Sequence, residues 1–227
     1  SLVKAQKSGD ALHRYNEGPR CCQLITALVN KHLADEFGED VRIRRLGDLW
    51  RGHLCLSDKE AEALFAEAIP DERTTLRHAA TRLGITESDI RNKWLGDLPE
   101  PTGGFALKAR LRHQLTEHRR VEYARDALLA QSPEHFGQLM NESHASCAED
   151  YCISCPELDA LTATAREAGA IGARLTGAGF GGCTVNLVPV DKLKDFAEQL
   201  DKSYYLARWP KTALPPREQR ILTVSAC

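Results

Sequence analysis

Gly172-Ala-Arg-Leu-Thr-Gly177-Ala-Gly179-Phe180-Gly181-Gly182-Cys-Thr-Val-Asn-Leu-Val-Pro189 decides the fold class of this chain. Gly177, Gly179 and Gly182 spell G-x-G-x-x-G, the spacing of a dinucleotide-binding turn. That turn comes after a strand and opens a helix, whose N-terminus faces the pyrophosphate. Here Gly182 leads instead into Cys183-Thr-Val-Asn-Leu-Val, an alternating run closed by Pro189, and such a run reads as a strand. The segment is therefore strand, glycine turn, strand. Four glycines in the six residues 177–182 permit positive φ and remove side chains. Backbone can then approach a ligand phosphate, a sugar or a neighbouring loop closely.

Helical patterns surround this pair of strands. Downstream, Asp191 to about Leu206 places Leu193, Phe196, Leu200 and Tyr204 at helical spacing, and Arg220 to Val224 reads as a final strand. Upstream, Cys155-Pro156-Glu157 opens a helix through Leu158, Leu161 and Ala165, with Gly169 as its C′ residue. Ser132-Pro133 opens another, through Phe136, Leu139, Met140 and Ala145. Leu107 to Leu129 is the longest candidate, with Leu107, Leu111, Leu115, Tyr123, Leu128 and Leu129 near one face and Arg and Glu on the other. Leu95 to Phe105 holds Gly, Pro, Pro, Gly, Gly and reads as a loop. Thr86 caps a helix to about Trp94, and another runs from about Asp71 to Arg82, ended by Gly84. Ser57-Asp-Lys-Glu60 is a capping box for a helix to about Ala68. Leu24, Leu28, Leu33 and Phe37 recur over a helix from Arg20, after a dozen polar, irregular residues. The expected class is α+β, mostly helical with a small antiparallel sheet. Two or three strands make a thin sheet with open edges, a sign that a strand is missing.

The chain has 227 residues, enough for one or two domains with a core. A formal net charge of −2 gives no electrostatic case for nucleic acid or an anionic membrane. No apolar run approaches the roughly 20 residues of a membrane span, and the first residues form no signal-peptide core. Eight cysteines are scattered, several inside apolar runs, as in a reduced cytoplasmic protein. Cys152-Ile-Ser-Cys155 has no second pair at zinc spacing, so no metal site is expected. His113, His118 and His144 fall on charged helical segments, where exposed or hydrogen-bonded roles are expected. The arginine-rich stretch Arg110 to Arg120 reads as a solvated or docking face.

Several segments converge on one family. Met140-Asn-Glu-Ser143-His144-Ala-Ser146, Asp150-Tyr151, Ser154-Cys-Pro-Glu-Leu-Asp159 and Gly172 to Val185 resemble the C-terminal part of galactokinases, members of the GHMP small-molecule kinases. Tyr15-Asn16 with Arg20-Cys21 resembles a worn copy of their stretch Y-N-x-R-R-x-x-C. The resemblance is dense from about Leu107 to Pro189 and thin from Lys31 to Phe105. It implies a single domain over 1–227 of the galactokinase C-terminal type. It also implies transfer of the ATP γ-phosphoryl to the anomeric hydroxyl of galactose or a related sugar, with Mg²⁺. Such transfer depends on positioning and charge stabilisation. By the same resemblance, Thr176, Gly177, Gly179, Phe180, Gly181 and Gly182 lie at the active-site cleft, and Tyr15 hydrogen-bonds the sugar.

The family's sugar signature G-R-x-N-x-x-G-E-H-x-D-Y, its phosphate loop P-x-G-x-G-L-S-S-S and the subsequent Asp are absent from this sequence. The resemblance thus implies no catalytic residue in this chain and no activity alone. Its partner would be an N-terminal kinase domain of the same parent. Two departures stand out: Glu17-Gly18-Pro19 replaces the arginine stretch, putting the sugar contact of Tyr15 in question, and Cys152 replaces a common Glu. A sugar-sensing or regulatory relative without turnover is the alternative. A dinucleotide-binding oxidoreductase is the third, and it requires a helix after Gly182.

Overall fold

A computed structural model describes residues 1–4, 10–51 and 53–224. Helix α1 runs from Asp10 to Phe37, and α2 from Asp58 to Ala68. Next come α3, Leu76–Leu83, and α4, Glu87–Ile90, which continues as a π-helical turn, Arg91–Leu95. Helix α5 is Leu107–Leu129, α6 is Pro133–Glu149 and α7 is Pro156–Glu167. The strands β1, Gly172–Thr176, and β2, Cys183–Leu187, form a two-stranded antiparallel sheet with Thr176 opposite Cys183. Helix α8, Leu193–Leu200, leads through a π-helical turn into α9, Leu206–Arg208, and α10 is Arg217–Arg220. The class is the expected one, mostly helical with a small antiparallel sheet.

Two compact units divide the chain. The helical unit holds Lys7–Arg119 and Glu149–Cys152; the sheet unit holds Ser1–Gln6, Arg120–Ala148 and Ile153–Cys227. A single apolar cluster fills the helical unit, from Leu24, Ile25 and Leu28 on α1 to Phe65, Leu76, Ile90, Phe105 and Leu107. The sheet unit has two smaller clusters. One joins Leu161 and Ala165 on α7 to Ala173, Phe196, Leu200 and Tyr204; the other joins Cys147, Leu158 and Leu175.

Local signals account for most boundaries. Ser57 Oγ accepts from the Glu60 amide while Glu60 reaches back to the Ser57 amide, so the capping box is closed. Thr86 and Asp89 repeat the device, and Gly84 ends α3 at φ 67°.

Four expectations are corrected. Helix α1 begins at Asp10, not near Arg20, and Pro19 lies inside it; the irregular N-terminus expected there falls partly on residues 5–9, outside those described. Proline in a helix interior costs about 3 kcal/mol. Contacts on either side offset it: Glu17 pairs with Arg110 at 2.9 Å, and Arg20 donates to the Leu95 carbonyl at 2.5 Å. Helix α3 starts at Leu76 rather than Asp71, because Thr74 is extended and exchanges two 2.9 Å backbone hydrogen bonds with Phe105. No third strand occurs over 220–224. There the chain is fixed by side chains instead of a ladder: Arg220 pairs with Asp201 at 2.5 Å and Ile221 packs on the larger apolar cluster.

Finally, α5 has no continuous apolar face. Leu107, Leu111 and Leu115 are buried, whereas Tyr123, Leu128 and Leu129 are exposed. At about 100° per residue, Tyr123 lies roughly 160° around the helix from Leu107. Phe37 likewise points out from the end of α1, 64% exposed.

Candidate functional site

The glycine turn in the sheet unit has a backbone that ordinary residues rarely adopt. Gly177, Gly179, Phe180, Gly181 and Gly182 have φ of 82°, 77°, 58°, 129° and 90°. Four are glycines, which take such angles without steric cost. Phe180 is bulky and carries strain of order 1–3 kcal/mol. Surrounding contacts hold it there. The Phe180 amide donates to the Ile153 carbonyl at 2.7 Å, and the Gly182 amide donates to the Val3 carbonyl at 2.8 Å. A Cβ on Gly179 would stand 2.0 Å from the Ile153 oxygen. Only glycine allows that approach, so Gly179 is fixed by packing as well as by φ. A Cβ on Gly177 or on Gly182 would meet nothing within 4 Å. Thr176 and Gly177 are exposed, Gly179 and Gly181 buried, Phe180 and Gly182 half-buried.

One face of α6 fastens β1. Gly137 lets the helix touch the strand: a Cβ on Gly172 would lie 2.5 Å from the Gly137 Cα. One helical turn on, Asn141 Nδ2 donates to the Ile171 carbonyl at 3.2 Å and Oδ1 accepts from the Ala173 amide at 2.9 Å. A further turn on, His144 Nδ1 faces the Leu175 amide at 3.2 Å. Residues 137, 141 and 144 lie on one helix face. They take the edge of β1 that a neighbouring strand would otherwise occupy. The sequence placed Asn141 and His144 within a recognisable block but offered Asn141 only a packing role, and it did not single out Gly137. Their spacing was the signal; the edge they serve was invisible without the sheet.

His144 is buried and its neighbours set its tautomer. With Nδ1 accepting from a backbone N–H, the proton sits on Nε2, which faces Thr162 Oγ1 at 2.9 Å and Asp159 Oδ1 at 3.2 Å. Burial lowers its pKa below the ordinary histidine value, against the opposing pull of Asp159. Ser154 Oγ donates to the same Asp159 oxygen at 2.5 Å. The expectation of a hydrogen-bonded histidine is met at this position.

Tyr15 lies on α1 in the helical unit and is half-buried; the turn residues lie in the sheet unit. Proline at 19 has no N–H, so it supplies no i+4 donor for the Tyr15 carbonyl. Around it, the Glu17-Gly18-Pro19 departure has a packing rationale. Gly18 admits the Tyr151 ring, whose Cζ would be 2.8 Å from a Cβ there. Tyr151 in turn stacks on His113 with centroids 4.6 Å apart. Burial raises the Tyr151 hydroxyl pKa and pushes the Cys21 thiol up to about 12.

The arginine stretch of α5 is largely engaged within the helical unit, not a free solvated face. Arg110 is buried and bonds to Glu17 and to the Asp150 carbonyl. Arg112 pairs with Asp150 at 2.8 Å, and Arg119 with Asp58 at 2.7 Å. His118 stacks on Trp50.

Among the described residues, His32, Glu36 and Glu67 place ligand atoms within 4.8 Å of one another. The turn itself offers backbone amides and the Thr176 hydroxyl, with no carboxylate. It does not fit a Mg²⁺ ion, which takes carboxylate, phosphate and water oxygens. Cys183 to Leu187 is a strand, so the dinucleotide-binding reading lacks its helix. No helix among the described residues is long and apolar enough to cross a membrane.

The GHMP kinases C terminal family matches residues 124–206. A galactokinase of Dictyostelium discoideum is 32% identical over 227 aligned positions, covering 90% of this chain and 44% of that protein. A galactokinase of Roseiflexus sp. (strain RS-1) is 48% identical over 110 residues, 48% of this chain and 27% of that protein. Among solved structures, the galactokinase of Lactococcus lactis complexed with galactose superposes with a TM-score of 0.58 at 27% identity. That match covers 92% of this chain and 41% of the other. The chain thus spans less than half the length of these relatives.

Proposed function

Starting from a chain that carries a GHMP kinase C-terminal region and is homologous to galactokinases over most of its length, we propose that it forms the C-terminal domain of a sugar kinase. In this reading both units belong to one domain, residues 1–227. The reaction is transfer of the γ-phosphoryl group of ATP to the anomeric hydroxyl of galactose or a related sugar, in the cytoplasm. An N-terminal kinase domain of the same parent supplies the phosphate loop and the catalytic Asp. This chain alone has no turnover.

The observation that carries this reading is the glycine turn, with positive φ at five of its six residues. Successive amides in such a conformation form a concavity suited to anionic oxygens. We assign the amides of Gly177, Ala178 and Gly181 to the transferred group or the sugar, with Thr176 offering a hydroxyl. Phe180, Gly179 and Gly182 hold the turn in place through Ile153 and Val3. Tyr15 contributes a phenol to the sugar. Preorganised donors of this kind act without reorganising during the reaction. Any Mg²⁺ bound with ATP would be held by residues outside the turn, where it would neutralise phosphate charge.

The test assays this chain and its native gene product side by side with ATP, Mg²⁺ and galactose, with intact mass recorded for both. The reading expects galactose 1-phosphate from the native product and none above a blank from the 227-residue chain. Turnover by the chain alone would overturn the two-part assignment. Galactose binding without product in either would favour the regulatory relative.

A further inference from the structure

The helical unit contains a groove of about 910 Å³ that plays no part in the proposed reaction. One wall is α1, another is the segment 42–47, and the floor includes Leu83, Ile85 and Trp94. Arg42, Arg44, Arg45 and Lys93 line it, and no carboxylate does. In a chain of net charge −2 this is a local reversal of sign.

The groove is built rather than incidental. Asn30 on α1 donates to the Ile43 carbonyl at 2.9 Å and accepts from the Ile43 amide at 2.8 Å. Ile43, so clamped, and Leu46 are both buried. The three arginines therefore project from a backbone fixed at both its polar and apolar contacts. Asp48 outside the groove engages Arg45 at 3.1 Å and takes the Arg44 amide. The guanidinium groups of Arg42 and Arg44 remain to meet a ligand. Trp94 is half-buried, with the Lys93 ammonium 5.9 Å from its ring centre.

Guanidinium groups favour bidentate contact with phosphate oxygens. The volume lies within the range of small-molecule sites, about 300–1,000 Å³, far beyond one ion. The apolar floor and Trp94 suit a flat organic part. We propose that this groove binds a small organic phosphate, with the phosphate on Arg42, Arg44 and Lys93 and the organic part against Trp94. The site is independent of the glycine turn.

Phenyl phosphate is the probe, with inorganic phosphate beside it, monitored by ¹H–¹⁵N correlation spectra of the 227-residue chain. The expected result is saturable shifts in the Trp94 indole N–H and the amides of 42–47, at lower concentration for phenyl phosphate than for phosphate. A triple variant, Arg42→Gln, Arg44→Gln and Lys93→Gln, should raise the apparent Kd at least tenfold. These side chains are exposed, so the spectrum should otherwise be preserved. Raising the salt to 0.5 M should weaken binding in the same direction. No saturable shift at 42–47, shifts confined to 177–182, equal affinity for the two probes, or an unchanged triple variant would each overturn the proposal.

Discussion

The two units solve the same problem by different means. In the helical unit, burial sets position: one apolar cluster runs from Leu24 through Phe105 to Leu107, and local caps set the helix ends. In the sheet unit, position comes from close backbone approach and from polar side chains that take the open edge of β1. Gly137 touches Gly172, Gly179 touches Ile153, and Asn141 and His144 hold the edge of β1. The first arrangement tolerates exchange among apolar residues of similar volume. The second does not tolerate one added methyl at the wrong glycine. A turn built mostly of glycine needs the second kind, because it has few side chains to anchor it.

The largest effect tests the first half of the contrast. Leu24 is 1% exposed in the middle of α1. Leu24→Ala should cost about 4 kcal/mol of unfolding free energy, whereas Leu24→Met should cost under about 1.5 kcal/mol. Denaturant titration monitored by circular dichroism measures both. Near-equal losses would show that the helical unit is not governed by core volume.

Gly172→Ala breaks the second half. It removes no contact and adds one carbon, yet that carbon would lie 2.5 Å from the Gly137 Cα. Backbone on both sides leaves little room to yield, so about 3 kcal/mol should be lost. A neutral substitution would mean that α6 and β1 are not in contact. Asn141→Ala comes next, at about 2 kcal/mol, because the Ala173 amide and Ile171 carbonyl lose their partner. Hydrogen exchange of the Ala173 amide should rise with it, and unchanged protection would remove Asn141 from the account.

Smallest is a pH effect at His144. Its pKa is lower in the fold than the roughly 6.5 of an unfolded histidine. The unfolded chain therefore binds this proton more readily, and stability rises with pH across that interval. The contribution is complete above about pH 6.5 and is lost as pH falls toward the folded value. His144→Gln should flatten this slope in thermal midpoints taken from pH 5 to 8. A slope unchanged by the substitution would place the titrating group elsewhere.

Much of this was legible in the sequence, for reasons that differ by element. Ser57 with Glu60, Thr86, and Gly84 marked their helix ends because caps are local chemistry. The strand–turn–strand reading held because Pro189 and the alternation after Cys183 are local too. Helix α1 was read short because the residues before Arg20 are polar and show no apolar periodicity; that stretch is held instead by contacts such as Glu17 with Arg110, 93 residues away. The last strand was expected from Ile221, Leu222 and Val224 alone; a strand also needs a partner edge, which those residues do not reveal. Likewise, Asn141 and Gly137 look ordinary until the strand beside them is known.

We propose that the turn at 176–182 presents its backbone to the reacting sugar and phosphate. Gly177→Ala in the native gene product is the sharpest test: a methyl there meets nothing within 4 Å and leaves the packing of Gly179 alone, while φ of 82° adds strain of about 1–2 kcal/mol. The expected result is ATP-dependent phosphorylation of galactose by the wild type, with kcat at least tenfold lower in the variant and a thermal midpoint within a few degrees. A variant as fast as the wild type would contradict it, as would a wild type that forms no galactose 1-phosphate.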